Sequence, residues 1–186
     1  MTSHKRITVF GGSTPRPGDP AYQDAFNLGA LIGQAGFIVL TGGYVGTMEA
    51  VSRGAREAGG HVIGVTCQEI EDFRPLPPNP WIQEEMRYQT LRERMYALMD
   101  HCDLAMALPG GIGTLAEIAA MWSGLQTGGF GHPPIILIGP GWQRTFETMR
   151  ADLGQYIRDA HWEKVEFVPD VQAAFEKARQ YLQQGD

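Results

Sequence analysis

Short apolar runs recur along the chain, each leading into a turn and then a longer segment with helical spacing. The runs at 7–10, 37–40, 62–65, 104–108, 135–138 and 165–168 are strand-length. Apart from Thr8 and Glu166 they are apolar at successive positions, as strands buried on both faces of a parallel sheet are. The segment 21–34 carries Ala25, Leu28 and Ile32 at helical spacing and stops at Gly36, a residue type suited to end a helix. The segments 47–58, 86–101, 114–126, 142–157 and 171–182 read as helices in the same way. Strand-then-helix alternation from end to end predicts an α/β fold, a Rossmann-like doubly wound parallel sheet with helices on both faces. With 186 residues, the chain fits one domain over 1–186. One stretch breaks the rhythm. Pro75, Pro77, Pro78 and Pro80 in 69–80 forbid a regular helix, so that segment is expected as a surface loop placed to cover a pocket.

In such sheets ligands bind beyond the carboxyl ends of the strands. Two glycine-rich turns fall there and resemble each other. Gly42-Gly43-Tyr44-Val45-Gly46-Thr47-Met48-Glu49 and Gly110-Gly111-Ile112-Gly113-Thr114-Leu115-Ala116-Glu117 share a glycine pair, a Gly-Thr step and a following glutamate. Glycine lets backbone N–H groups approach an anion closely, and a helix starting at once adds unpaired donors and a positive dipole end. The pair is therefore expected to form a phosphate cradle from Gly42, Gly43, Gly46, Thr47, Gly110, Gly111, Gly113 and Thr114. Gly12 and Ser13, in the turn after the first strand, join that set. The alternative is that each turn only closes a strand.

Two charged residues stand near these turns. Glu117 either folds back in a capping box with Thr114 or faces the sugar of a bound ligand, and spacing leaves both open. Arg94 lies among Leu91, Met95, Leu98 and Cys102, so its stem sits against an apolar stripe. A guanidinium carried toward the core needs an anionic partner; an internal salt bridge or a reach back to solvent are the alternatives. Arg87 is expected one heptad earlier on nearly the same helix face.

Composition narrows the chemistry. The net charge of −6 and the lack of any basic run longer than Lys5-Arg6 argue against nucleic acid polymers and anionic membranes. No apolar stretch approaches the roughly 20 residues that span a bilayer. The passage from Met1-Thr2-Ser3 into the first strand leaves no room for a signal peptide, so a cytoplasmic protein is expected. Cys67 and Cys102 then read as reduced thiols. His4, His61, His101, His132 and His161 form no pair on one helix face, and no metal site is expected. The only lysines are Lys5, Lys164 and Lys177, far from either glycine turn, which excludes a P-loop and a Schiff-base lysine. Gly11-Gly12-Ser13 is followed by Pro15 and Pro17, not by the helix of a dinucleotide fingerprint.

The run Pro109-Gly110-Gly111-Ile112-Gly113-Thr114-Leu115-Ala116-Glu117 resembles the PGGxGTxxE signature of the LONELY GUY (LOG) family. These are cytokinin riboside 5′-monophosphate phosphoribohydrolases, formerly labelled possible lysine decarboxylases. Arg94, fifteen residues before Pro109, falls where the family carries its catalytic arginine. The resemblance extends to the first glycine turn and to Gly59-Gly60-His61-Val62-Ile63-Gly64-Val65. Met95 and Ala116 depart from the plant-type pattern, which has lysine and a first glutamate there. The resemblance implies hydrolysis of the N-glycosidic bond of a nucleoside 5′-monophosphate by Arg94 and Glu117, with no cofactor and in a homodimer. Trp122 and Phe130 are either part of that interface or ordinary core. Related proteins that carry the molybdenum cofactor without hydrolysis make a nucleotide or cofactor carrier the alternative.

Overall fold

The computed structural model describes residues 4–131 and 133–183; His132 and the Met1-Thr2-Ser3 segment lie outside them. Among the described residues, seven strands form one sheet: β1 Arg6–Phe10, β2 Ile38–Thr41, β3 His61–Cys67, β4 Glu84–Tyr88, β5 Leu104–Ala107, β6 Ile135–Ile138 and β7 Val165–Val168. The helices are α1 Pro20–Gln34, α2 Thr47–Glu57, α3 Gln68–Phe73, α4 Leu91–Asp100, α5 Ile112–Thr127, α6 Pro140–Leu153, α7 Asp159–Trp162 and α8 Val171–Gln183. The strand order is β4-β3-β2-β1-β5-β6-β7, with every pairing parallel. The chain winds outward from β1 to β4, then returns to lay β5 on the other side of β1, where Ile7 pairs with Leu104. That reversal makes the carboxyl ends of β1 and β5 a topological switch point, where a crevice opens between diverging connections.

Period-two alternation along the strands feeds two cores. Ile7, Val9, Leu104, Met106, Ile136 and Ile138 pack with Leu28 and Ile32 of α1, Val51 of α2 and Phe175 of α8. Phe10, Leu40, Ala105, Ala107, Ile135 and Leu137 pack on the opposite face with Leu98 of α4, Ile118 and Met121 of α5 and Phe146 of α6. Helices thus cover both faces, as the alternation predicts. Trp122 belongs to the second core: its ring lies 5.5 Å from Phe146 and 5.0 Å from Trp162, and Nε1 donates to the His161 carbonyl at 2.7 Å.

Three segments differ from the sequence expectation. The expected helix at 86–101 is two elements. Residues 84–88 form the edge strand β4, half-exposed and charged, so its two apolar residues, Met86 and Tyr88, carry too short an alternation to register. Helix α4 starts only after Thr90, which closes a capping box with Glu93. Arg87 therefore sits on a strand, not on the Arg94 helix. Of the expected loop at 69–80, the first five residues belong to α3, which precedes the first proline, and only the segment beyond Arg74 is irregular. Finally, α6 ends at Leu153 and gives way to a 3-10 turn over Gly154–Tyr156.

Helices α1 and α2 approach closely because glycines face backbone across the contact. A Cβ at Gly29 would collide with the Val51 carbonyl, and one at Gly54 with the Phe26 carbonyl. In an isolated helix Gly→Ala gains about 1 kcal/mol; overpacking costs about 1–3 kcal/mol. Against rigid backbone the second term wins. Gly29→Ala is expected to lower the urea midpoint, and an unchanged or higher midpoint would show that the helices can part freely.

Candidate functional site

The switch-point crevice is a cavity of about 420 Å³. It is lined by Gly11, Gly12, Ser13 and Thr14 after β1 and by Gly111, Gly113 and Thr114 at the start of α5. The first of these loops is ordered by Arg16, whose Nη1 donates to the carbonyls of Ser13, Thr14 and Pro15 at 2.8, 2.9 and 3.0 Å. The second loop leads into α5 without a side-chain cap, and a Cβ at Gly111 or Gly113 would meet open space. The wall there is bare backbone at a helix N-terminus, the arrangement that receives anions. Gly12 N donates to Pro109 O at 3.3 Å and joins the two loops.

Helix α5 begins at Ile112, two residues ahead of the expected start, so Thr114 already lies in its first turn. That removes one of the two alternatives for Glu117. No capping box forms; the carboxylate instead faces Arg94, with Oε1 3.8 Å from Nη1. Arg94 is 5% exposed and held by backbone. Its Nε donates to Val65 O at 2.8 Å and its Nη2 to Gly42 O at 3.1 Å. The ring of Tyr44 lies 5.7 Å from the guanidinium carbon, close enough for a cation–π contact. The Tyr44 hydroxyl is itself fixed, lying 3.0 Å from Cys67 O and accepting from Cys67 N at 2.9 Å. With these donors spent, Nη1 is the part of Arg94 that meets Glu117. Burial pushes the Glu117 carboxyl up to about 7 from its usual 4.5, and the Arg94 charge opposes part of that rise.

The two glycine turns do different jobs. Gly12, Ser13, Gly111, Gly113 and Thr114 line the cavity with Arg94 and Glu117. Gly42, Gly43, Gly46, Thr47 and Gly110 do not line it. Gly42 gives its carbonyl to Arg94, and a Cβ there would strike the guanidinium. Gly43, at φ +77°, packs on Thr66. Gly46, at φ +75°, abuts the backbone of Gly12 and Ser13. Thr47 donates to Gly12 O from both N, at 2.9 Å, and Oγ1, at 3.0 Å. The first turn is thus a bracket for Arg94 and the Gly12 loop. What reaches the cavity from it is Tyr44, Val45 and Met48, which residue pattern alone did not single out. The outer end is apolar: the exposed Phe73 of α3, Leu91 and Ile112 line the cavity together with Ile70, Leu76 and Met95.

A profile of the SLOG cluster4 family matches residues 4–127. A cytokinin riboside 5′-monophosphate phosphoribohydrolase of Mycobacterium tuberculosis is 32% identical over 181 residues, spanning 94% of this chain and 93% of its own. Among solved structures, the molybdenum cofactor binding protein of Rippkaea orientalis superposes with a TM-score of 0.76 at 22% identity, covering 98% of this chain and 99% of its own. The Moco carrier protein of Chlamydomonas reinhardtii superposes with a TM-score of 0.70 at 26% identity, covering 97% and 99%. These likenesses run through the switch-point loops and nearly the full chain. The chain therefore belongs to the SLOG cluster4 family and is a LONELY GUY (LOG) protein in sequence and fold.

Proposed function

We propose that this chain hydrolyses the N-glycosidic bond of a nucleoside 5′-monophosphate, releasing free base and ribose 5-phosphate. One observation carries the reading: a single cavity sets a buried arginine–glutamate pair beside bare backbone at a helix N-terminus. The phosphate is received by the backbone of Gly12, Ser13, Gly111 and Gly113 with Thr114, which leaves C1′ of the ribose near Glu117. The C1′–N bond breaks through an oxocarbenium-like sugar, and the Glu117 carboxylate stabilises its positive charge. Water adds its oxygen to C1′ and keeps one proton as the new hydroxyl; Glu117 takes the other and passes it to the departing base, which regenerates the carboxylate. Arg94 favours the carboxylate form of Glu117 and polarises the leaving side. Fixing the phosphate holds the scissile bond against the carboxylate, a gain in positioning that a free nucleoside lacks. Acid–base chemistry of this kind calls on no metal or organic cofactor. The relatives named phosphoribohydrolases support the reading, which extends to a cytoplasmic homodimer and to cytokinin nucleotides among the substrates.

A second reading, a carrier that holds a nucleotide or the molybdenum cofactor without turnover, draws on the carrier proteins sharing the fold and on the apolar outer end of the cavity. Release of adenine from AMP, compared with adenosine, separates the two. Hydrolysis of AMP with adenosine at least a hundredfold slower supports the hydrolase; tight AMP binding with no adenine released supports the carrier.

Gly111→Val tests the cradle. Its backbone is extended, at φ −95° and ψ −150°, and a Cβ added there has no atom within 4 Å. Stability is expected within about 0.5 kcal/mol of wild type, as for substitutions that disturb no packing. AMP affinity should fall at least tenfold by calorimetry; unchanged affinity would place the phosphate elsewhere.

A further inference from the structure

Helix α3 buries no residue, yet it is tied firmly by its polar face. Glu71 meets Arg87 through both oxygens, at 3.1 and 2.5 Å, and Gln68 accepts from the same guanidinium at 2.6 Å. Glu69 accepts from the Leu91 amide at 2.7 Å. These ties leave Phe73 85% exposed on the cavity rim. A lone apolar ring in water is ordinary, but Phe73, Ile112 at 83% and Leu91 at 47% are exposed together around one cavity, and a contiguous apolar patch of that kind marks a ligand groove. The cavity lining is divided in kind: loop backbone and the buried Arg94–Glu117 pair make one part of it, exposed apolar side chains around Phe73 the other. A nucleoside monophosphate is divided in the same sense, a dianion at one end and a flat ring at the other. Around Phe73, Arg74 is the one lining side chain on α3 or the segment after it with a hydrogen-bonding group.

Building on the hydrolase reading, we propose that Phe73 is the stacking platform for the base, making this site selective for purine nucleotides by ring area and indifferent to their exocyclic groups. Stacking on an aromatic side chain tolerates any base because each has a π-face, and larger rings cover more of it. AMP, GMP and IMP then bind alike, and CMP binds more weakly. The ion pair between Glu71 and Arg87 holds the platform in place.

The test is calorimetry on the full chain carrying Glu117→Gln, so that bound nucleotide is not consumed. AMP, CMP and ribose 5-phosphate are titrated into that protein with Phe73 intact, Phe73→Ala and Phe73→Trp. Phe73→Ala should weaken AMP by about tenfold or more, the range for removing one stacking partner. Ribose 5-phosphate, which has no base, should stay within twofold. Phe73→Trp should restore AMP, with its fluorescence quenched as AMP is added. Equal affinity of Phe73→Ala for AMP overturns the proposal, as does parallel loss of AMP and ribose 5-phosphate. A change in oligomeric mass with ligand affinities intact overturns it too, assigning Phe73 to a protein contact. Because the readout is binding, a chain that binds AMP through Phe73 without cleaving it refutes the hydrolase alone, and cleavage unaffected by Phe73→Ala refutes the platform alone.

Discussion

Glu117→Gln is expected to abolish base release while making the fold more stable at alkaline pH. The activity term follows from charge: an amide cannot stabilise a developing oxocarbenium ion or take a proton from water, a loss on the order of a thousandfold. The stability term follows from burial. The Glu117 side chain is 14% exposed and its carboxyl is raised from 4.5 to about 7. A folded-state pKa above the unfolded one means that its favourable contribution is complete below pH 4.5 and is lost as pH rises through about 7. The difference corresponds to a loss on the order of 3 kcal/mol across that window. Glutamine does not titrate, so the gap between variant and wild type should widen from pH 5 to pH 8 in urea unfolding. The same pKa governs rate. Only the carboxylate is competent, so kcat/KM for the wild type should climb through about pH 7. Parallel pH–stability curves for the two proteins would contradict the buried position of Glu117.

Arg94→Ala should lose activity too, but with the opposite effect on stability. The guanidinium ties the end of β3, through Val65 O, to the first glycine turn, through Gly42 O. Deleting it leaves two buried carbonyls without their donors, at about 1–3 kcal/mol each, and strips Glu117 of its nearby cation. A loss of about 3–5 kcal/mol is expected, as when one partner of a buried pair is removed. Lysine should not substitute, because a single ammonium on a flexible stem cannot span both carbonyls and face Glu117 as a planar fork does. In Arg94→Lys any residual pH–rate profile should move to the alkaline side, since the carboxylate loses its best-placed counter-charge. A stable, active Arg94→Ala would remove this residue from the account.

The stabilising substitution at 117 and the destabilising one at 94 separate two kinds of legibility. Arg94 was readable as needing a partner because a guanidinium on an apolar stripe has few other fates. Its partner was not, since 3.6-residue spacing places Glu117 on a face of α5 but says nothing of which helix stands opposite. The sheet was legible from apolar runs, and its switch point is fixed once β5 returns beside β1. The edge strand β4 was hidden because Glu84, Glu85 and Arg87 mask its alternation. The likeness between the two glycine turns suggested one role for both. Their strands differ in position: β5 flanks the crevice, whereas the turn after β2 is directed against Arg94 and the Gly12 loop. Carbonyl direction decides between cradle and bracket, and residue pattern does not carry it. Helix α3 escaped notice because the prolines just after it coloured the whole segment as loop.

The central claim, that this cavity cleaves the base from a nucleoside 5′-monophosphate, is tested most directly by product analysis. Wild type and Glu117→Gln are incubated with AMP, GMP, CMP, IMP and isopentenyl-adenosine monophosphate in the presence of a chelator. Free base and ribose 5-phosphate are then quantified chromatographically. The account predicts equal amounts of the two products from the wild type and neither from a variant that still binds the nucleotide. Binding of every nucleotide with no base released by the wild type would contradict it.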